Sequence, residues 1–125
     1  MPTISHQIAE FAVNLKFEQL PEEVVFQAKR FLLDSVGCAF GGWDTEDFQT
    51  QYELHRYMAG KSEATVMVGG DKMPVNHAAL LNSLLIRALD YNDIYWEEDP
   101  SHPSDIIPAA LSPAAMWAGR LPPRR

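Results

Sequence analysis

From Asn76 to Leu89 the chain reads N-H-A-A-L-L-N-S-L-L-I-R-A-L, apolar on nearly every side of a helix. Such a helix belongs inside a core rather than on its surface, so the remaining elements must be arranged around it. Ala78, Ala79, Leu80, Leu81, Leu84, Leu85, Ile86, Ala88 and Leu89 are its packing residues, and Asn76 is the expected N-cap. It delivers Asp90 at its C-terminal end.

The elements before it follow from spacing. Ile8, Phe11, Ala12 and Leu15 recur at helical intervals behind Ser5, an expected N-cap. Pro21 opens a second helix, with Glu22 and Glu23 at the positive end of its dipole. Val24, Val25, Ala28, Phe31, Leu32, Ser35 and Val36 share one face of it, and Phe26, Leu33 and Ala39 widen the stripe until Gly41-Gly42. That breadth predicts burial on most sides. A third helix, capped by Asp44 or Thr45, runs through Phe48, Tyr52, Leu54, Tyr57 and Met58 to Gly60. Glu63 to Val68 reads as a short strand ending at Gly69-Gly70-Asp71, paired as a hairpin with residues around Met73 to Val75. A last helix starts at Ser104 or Asp105 with Pro108 in its first turn, and Pro113 complicates its continuation. The class is mainly α with one short β hairpin or strand. Residues 1–119 form a partial helical domain, and 120–125 read as a disordered tail.

Composition narrows the function. With 125 residues, 46% of them hydrophobic and 22% charged, the chain has the profile of one globular domain. Its net charge of −7 argues against nucleic acid and against an anionic membrane surface. No apolar run approaches the roughly 20 residues of a spanning helix, and the N-terminus lacks a secretory pattern. A lone Cys38 in an apolar run reads as a small buried hydrophobe. A reducing, cytoplasmic setting is expected.

The stretch Arg87 to Leu111 holds the chemistry. Asp90, Asn92, Asp93, Glu97, Glu98, Asp99, His102, Ser104 and Asp105 crowd between two apolar runs, as a polar loop that a scaffold holds in place. His102 has the side chain suited to proton transfer near neutrality, and a carboxylate beside it would orient it. Asp90 and Asp93 would share a face if the helix continued that far. Pro103 fixes His102 in extended backbone before a helix N-terminus, whose free N–H groups near Ser104 to Ile106 suit an anion. The competing reading is an acidic surface loop with one capping histidine.

Metal binding finds less support. D-Y-N-D opens like a calcium loop, but Ile94 and a missing glycine break the match. His77 and His102 could join Asp90 around a transition metal, without telling spacing. His6 and His55 read as solvated, and Gly69-Gly70 is not a phosphate cradle. Tyr91, Tyr95 and Trp96 could wall a pocket or fill a core.

Three segments in order, L-L-D-S-V-G-C-A-F-G-G (Leu32 to Gly42), N-H-A-A-L-L-N-S-L-L-I-R-A-L-D-Y-N-D (Asn76 to Asp93) and H-P-S-D-I-I-P-A-A-L (His102 to Leu111), resemble the MmgE/PrpD family. The resemblance implies the N-terminal part of a large helical domain, a homo-oligomer (dimeric in the family), and elimination or decarboxylation on a small di- or tricarboxylate, 2-methylcitrate first among them. It implies no cofactor and no metal. It places Asp90 and His102 as catalytic groups and Asn92, Asp93 and Ser104 at the substrate. Ile94 stands where the family often has threonine, and the helix pattern degrades after Leu111, without its usual glutamate. Family enzymes are several times longer and carry cationic substrate ligands elsewhere, whereas Arg87 is the cation near this loop. A fragment or truncated product, inactive alone, is the expectation. The alternative is a non-catalytic helical remnant or assembly module whose two apolar helices would expose patches and self-associate.

Overall fold

A computed structural model of the chain describes residues 2–58, 60–96 and 100–118. Among the described residues five α-helices run in order: α1 (Ile4–Asn14), α2 (Glu22–Gly42), α3 (Glu46–Met58), α4 (Val75–Arg87) and α5 (Ile107–Ala118). Strands β1 (Ala64–Thr65) and β2 (Lys72–Met73) form an antiparallel pair between α3 and α4, with Ala64 opposite Met73 and Thr65 opposite Lys72. The architecture is mainly α, as the sequence predicts. The 120–125 tail lies outside the described residues.

Helix α4 is the axis of the molecule. It packs on α2, α5, α3 and both strands, and Ala78, Leu81, Leu85 and Ile86 are wholly buried. Phe48 and Tyr52 of α3, Ala64, Val66 and Met73 of the hairpin, and Cys38 and Ala39 of α2 close around it. At one contact the backbones nearly touch: a Cβ on Gly42 would stand 2.2 Å from the carbonyl oxygen of Leu85. Gly42 therefore ends α2 and also admits α4.

The hairpin is tied to this axis by Asn82, a polar residue on the apolar helix. Its Oδ1 accepts the Met67 N–H at 2.8 Å and its Nδ2 donates to the Thr65 carbonyl at 3.1 Å. Beyond Thr65 the expected strand breaks, because Val68 and Gly70 turn the chain with φ of 67° and 79°. A β-branched residue in that region departs from strand geometry altogether.

Several boundaries differ from expectation. Thr3, not Ser5, caps α1 by accepting the His6 N–H. Pro74 precedes α4, and Glu63 Oε2 accepts the first helical N–H, that of Val75, at 3.3 Å, so Asn76 is not the cap. Helix α5 continues through Pro113 to Ala118. His55 is buried, not solvated: its Nδ1 donates to the Gln51 carbonyl and its ring meets the His77 ring edge-on, centroids 4.8 Å apart. The largest correction concerns α2, where only Ser35, Cys38, Ala39 and Gly42 are buried. Helix α4 covers the C-terminal half alone, leaving Val24, Phe26 and Leu33 at the surface, and α1 has no buried residue.

Candidate active site

Helix α4 stops at Arg87, and Asp90 takes a left-handed φ of 47°. That turn swings the following residues off the helix axis, so Asp90 and Asp93 do not share a helical face. Asp90 instead folds back one turn, its Oδ1 3.1 Å from Arg87 Nη2, with 85% of its side chain exposed. The same guanidinium donates through Nη1 to Asn92 Oδ1 at 2.8 Å and faces Asp105 at 3.5 Å. Arg87 thus gathers three members of the loop.

Asp93 is the second node, and it uses every polar group it has. Its N–H donates to Asp34 Oδ2 on α2 at 2.8 Å. Its carboxylate accepts the Ser104 N–H at 3.3 and 3.4 Å. Its carbonyl lies 2.5 Å from His102 Nδ1. The anion at the N-terminus of the 3₁₀ turn Pro103–Asp105 is accordingly the protein's own; the Asp105 and Ile106 N–H groups are taken by the carbonyls of His102 and Pro103.

A carbonyl oxygen only accepts, so the contact with Asp93 puts a proton on His102 Nδ1, and the neutral ring then keeps its lone pair on Nε2. Asn92 Nδ2 stands 3.5 Å from the same Nδ1, too far to compete with a contact a full ångström shorter. That amide is engaged at Ser104 Oγ, 2.5 Å away. Ser104 is wholly buried and His102 half-buried. The His102 backbone is extended, φ −113° and ψ 106°, as Pro103 demands. An antiparallel bridge between Tyr95 and Ser101 closes the base of the loop; Glu97, Glu98 and Asp99 lie outside the described residues.

The structure therefore brings His102, Asn92, Asp93 and Ser104 together and holds Asp90 beside Arg87, one link away through Asn92. A backbone carbonyl, not a carboxylate, orients the histidine. His77 sits with His55 under α3, and no group of three or more His, Cys, Asp or Glu side chains converges as a metal site among the described residues. Tyr91, Tyr95 and Trp96 are exposed rather than packed in the core. No helix among the described residues is long and apolar enough to cross a membrane. Sequence reasoning passed over Asp34; its one signal was a charge inside the apolar run F-L-L-D-S-V-G-C-A.

Residues 6–121 match the sequence profile of the MmgE/PrpD N-terminal domain. The chain belongs to the MmgE/PrpD family. It is similar to the cis-aconitate decarboxylases of Homo sapiens, 27% identical over 123 residues, and Mus musculus, 24% identical over the same length, each match covering 98% of this chain. A third similar protein is the cis-aconitate decarboxylase of Aspergillus terreus, 27% identical over 116 residues and 92% of this chain. The chain spans about a quarter of the length of these curated relatives, 25% for the human and mouse proteins and 24% for the fungal one.

Proposed function

We propose that this chain furnishes the acid/base wall of a lyase acting on a small tricarboxylate. The observation that carries the reading is the held tautomer of His102, whose Nδ1–H is fixed on the Asp93 carbonyl while Nε2 keeps its lone pair. The names of its relatives support cis-aconitate as substrate; the segments shared with the wider family support dehydration of 2-methylcitrate. One group serves either reaction. In dehydration Nε2 takes the proton from carbon and hands it to the neighbouring hydroxyl, which departs as water. In decarboxylation CO2 leaves, and the same nitrogen, protonated, returns a proton to the carbanion.

Asp90, exposed at the end of α4, would share the proton transfer or face the developing charge, with Asn92, Asp93 and Ser104 shaping the pocket. No cofactor enters the reading, and a homo-oligomer in the cytoplasm is its proposed setting. Arg87 is committed to Asp90, Asn92 and Asp105, so the cations that bind substrate carboxylates come from outside this segment. The test joins this chain to the remaining three quarters of a cis-aconitate decarboxylase. The chimera is expected to turn over cis-aconitate or 2-methylcitrate and to lose at least two orders of magnitude in kcat on His102→Gln, while the chain alone shows no turnover. A folded chimera indifferent to His102→Gln, or turnover by the chain alone, would overturn the reading.

A further inference from the structure

We propose that Asp34 is a positioning residue for His102, acting through the backbone of Asp93. The proposal deepens the reading of His102 as the proton-transfer group and rests on it for its functional meaning. Asp34 stands in the middle of α2, 59 residues before Asp93, yet its carboxylate accepts the Asp93 N–H at 2.8 Å. The two peptide groups flanking the Asp93 Cα are then both held, one by Asp34 and the other by His102, with the side chain pinned on Ser104. Fixing both peptide planes fixes φ and ψ of Asp93, and with them the direction in which its carbonyl points.

Two further observations place Asp34 there for this contact. Arg30, one turn earlier on α2, donates to Gln27 Oε1 at 2.8 Å rather than to Asp34, and among the described residues no cation pairs with the Asp34 carboxylate. Arg30, Asp34, Asp93 and Ile94 line one open cleft of about 480 Å³, so Asp34 and the loop meet at a single wall. The thiol of Cys38, a turn after Asp34, is held above its ordinary range by burial first, then by the charges of Asp34 and Asp93 together. Both carboxylates bear on one spot.

A hydrogen bond to a carboxylate is roughly twice as strong as a neutral one. The segment from Ala88 to Ile94 has no regular secondary structure of its own to replace it. Without Asp34 the Asp93 carbonyl is free to turn, and His102 returns to the Nε2–H form that a free imidazole favours in water. Nε2 would then carry a proton where the proposed dehydration needs a lone pair.

The experiment reads the tautomer directly and needs no turnover. In the chain labelled with 15N-histidine, long-range proton–nitrogen correlation at alkaline pH is expected to show the Nδ1–H form of His102 dominant. Asp34→Ala should make it the minor form. Asp34→Asn, whose amide oxygen still accepts the Asp93 N–H, should restore it, and Trp43 and Phe48 core signals should stay unchanged in both. A wild-type tautomer in Asp34→Ala, or no rescue by Asp34→Asn, overturns the proposal. Hydrogen exchange of the Asp93 amide in the unaltered chain is a second readout: protection supports the bond, and exchange at the rate of an open loop overturns it. A tautomer that shifts as expected in a protein whose chimera ignores His102→Gln would remove the catalytic reading and keep the positioning role.

Discussion

Arg87 Nη2 and Asp90 Oδ1 lie 3.1 Å apart across the turn that follows α4, and this contact sets what the loop can bind. A tricarboxylate needs cationic donors, and a guanidinium already shared by Asp90, Asn92 and Asp105 offers it little. Citrate, titrated into the isolated chain and followed by calorimetry or amide shifts, is expected to bind no tighter than about 1 mM, roughly 4 kcal/mol. Micromolar affinity would show a cationic wall that this account lacks. Because the Asp90 side chain is 85% exposed, the pair adds little, and Asp90→Asn should cost no more than about 1 kcal/mol of stability in denaturant titration.

Asn82 predicts a far larger effect. It is almost wholly buried and satisfies two backbone groups of the hairpin, the Met67 N–H and the Thr65 carbonyl. Asn82→Leu keeps the volume but strands both. At about 1–3 kcal/mol for each buried group left unpaired, the loss should fall near 2–6 kcal/mol. Urea unfolding of the purified variant measures it; a change below about 1 kcal/mol would mean that the hairpin finds other partners.

The contrast between these residues shows what was legible in advance. Helical periodicity located all five helices, and the composition of residues 76–89 identified α4 as the core. Local patterns report local geometry, so Pro103 and the extended His102 were readable. Asn82 and His55 were not, since a polar residue on a helix is buried or solvated according to what another element brings to it. Asp34 and Asp93 meet across 59 residues of chain, a separation invisible to any window. The shared Asp90–Asp93 face required the helix to continue, and it does not form, because α4 stops at Arg87 and Asp90 turns left-handed.

Cys38 makes stability depend on alkaline pH in a defined direction. Its thiol is raised above its ordinary value of about 9.0 in the folded chain, by burial and then by Asp34 and Asp93. The folded state thus holds the proton more tightly than the unfolded one. The contribution is fully present below pH 9.0 and is lost as pH rises through the folded-state value. Replacement by alanine should flatten this part of the stability profile above pH 9.0 relative to the unaltered chain. The same burial predicts slow reaction with an aromatic disulfide reagent at neutral pH until denaturant is added. Parallel alkaline profiles for both proteins, or rapid labelling of the folded chain, would contradict the environment described for Cys38.

The last expectation concerns the surface. Ile8 and Phe11 of α1, and Val24, Phe26, Leu33 and Phe40 of α2, are each more than two-fifths exposed, whereas Ala78, Leu81, Leu85 and Ile86 of α4 are covered. Exposed apolar area on this scale is uncommon on a monomer and favours association. Light scattering of the purified chain should therefore show a mean mass that rises with concentration. Because apolar burial dominates that contact, the rise should persist in high salt. Paired substitutions Phe11→Ser and Phe26→Ser remove apolar area without touching any buried residue, so they should lower the association while leaving the unfolding midpoint within about 0.5 kcal/mol of the parent. A clean monomer at all concentrations would show that these faces, though apolar, do not attract one another. Association that ignores both substitutions would place the contact elsewhere on the molecule.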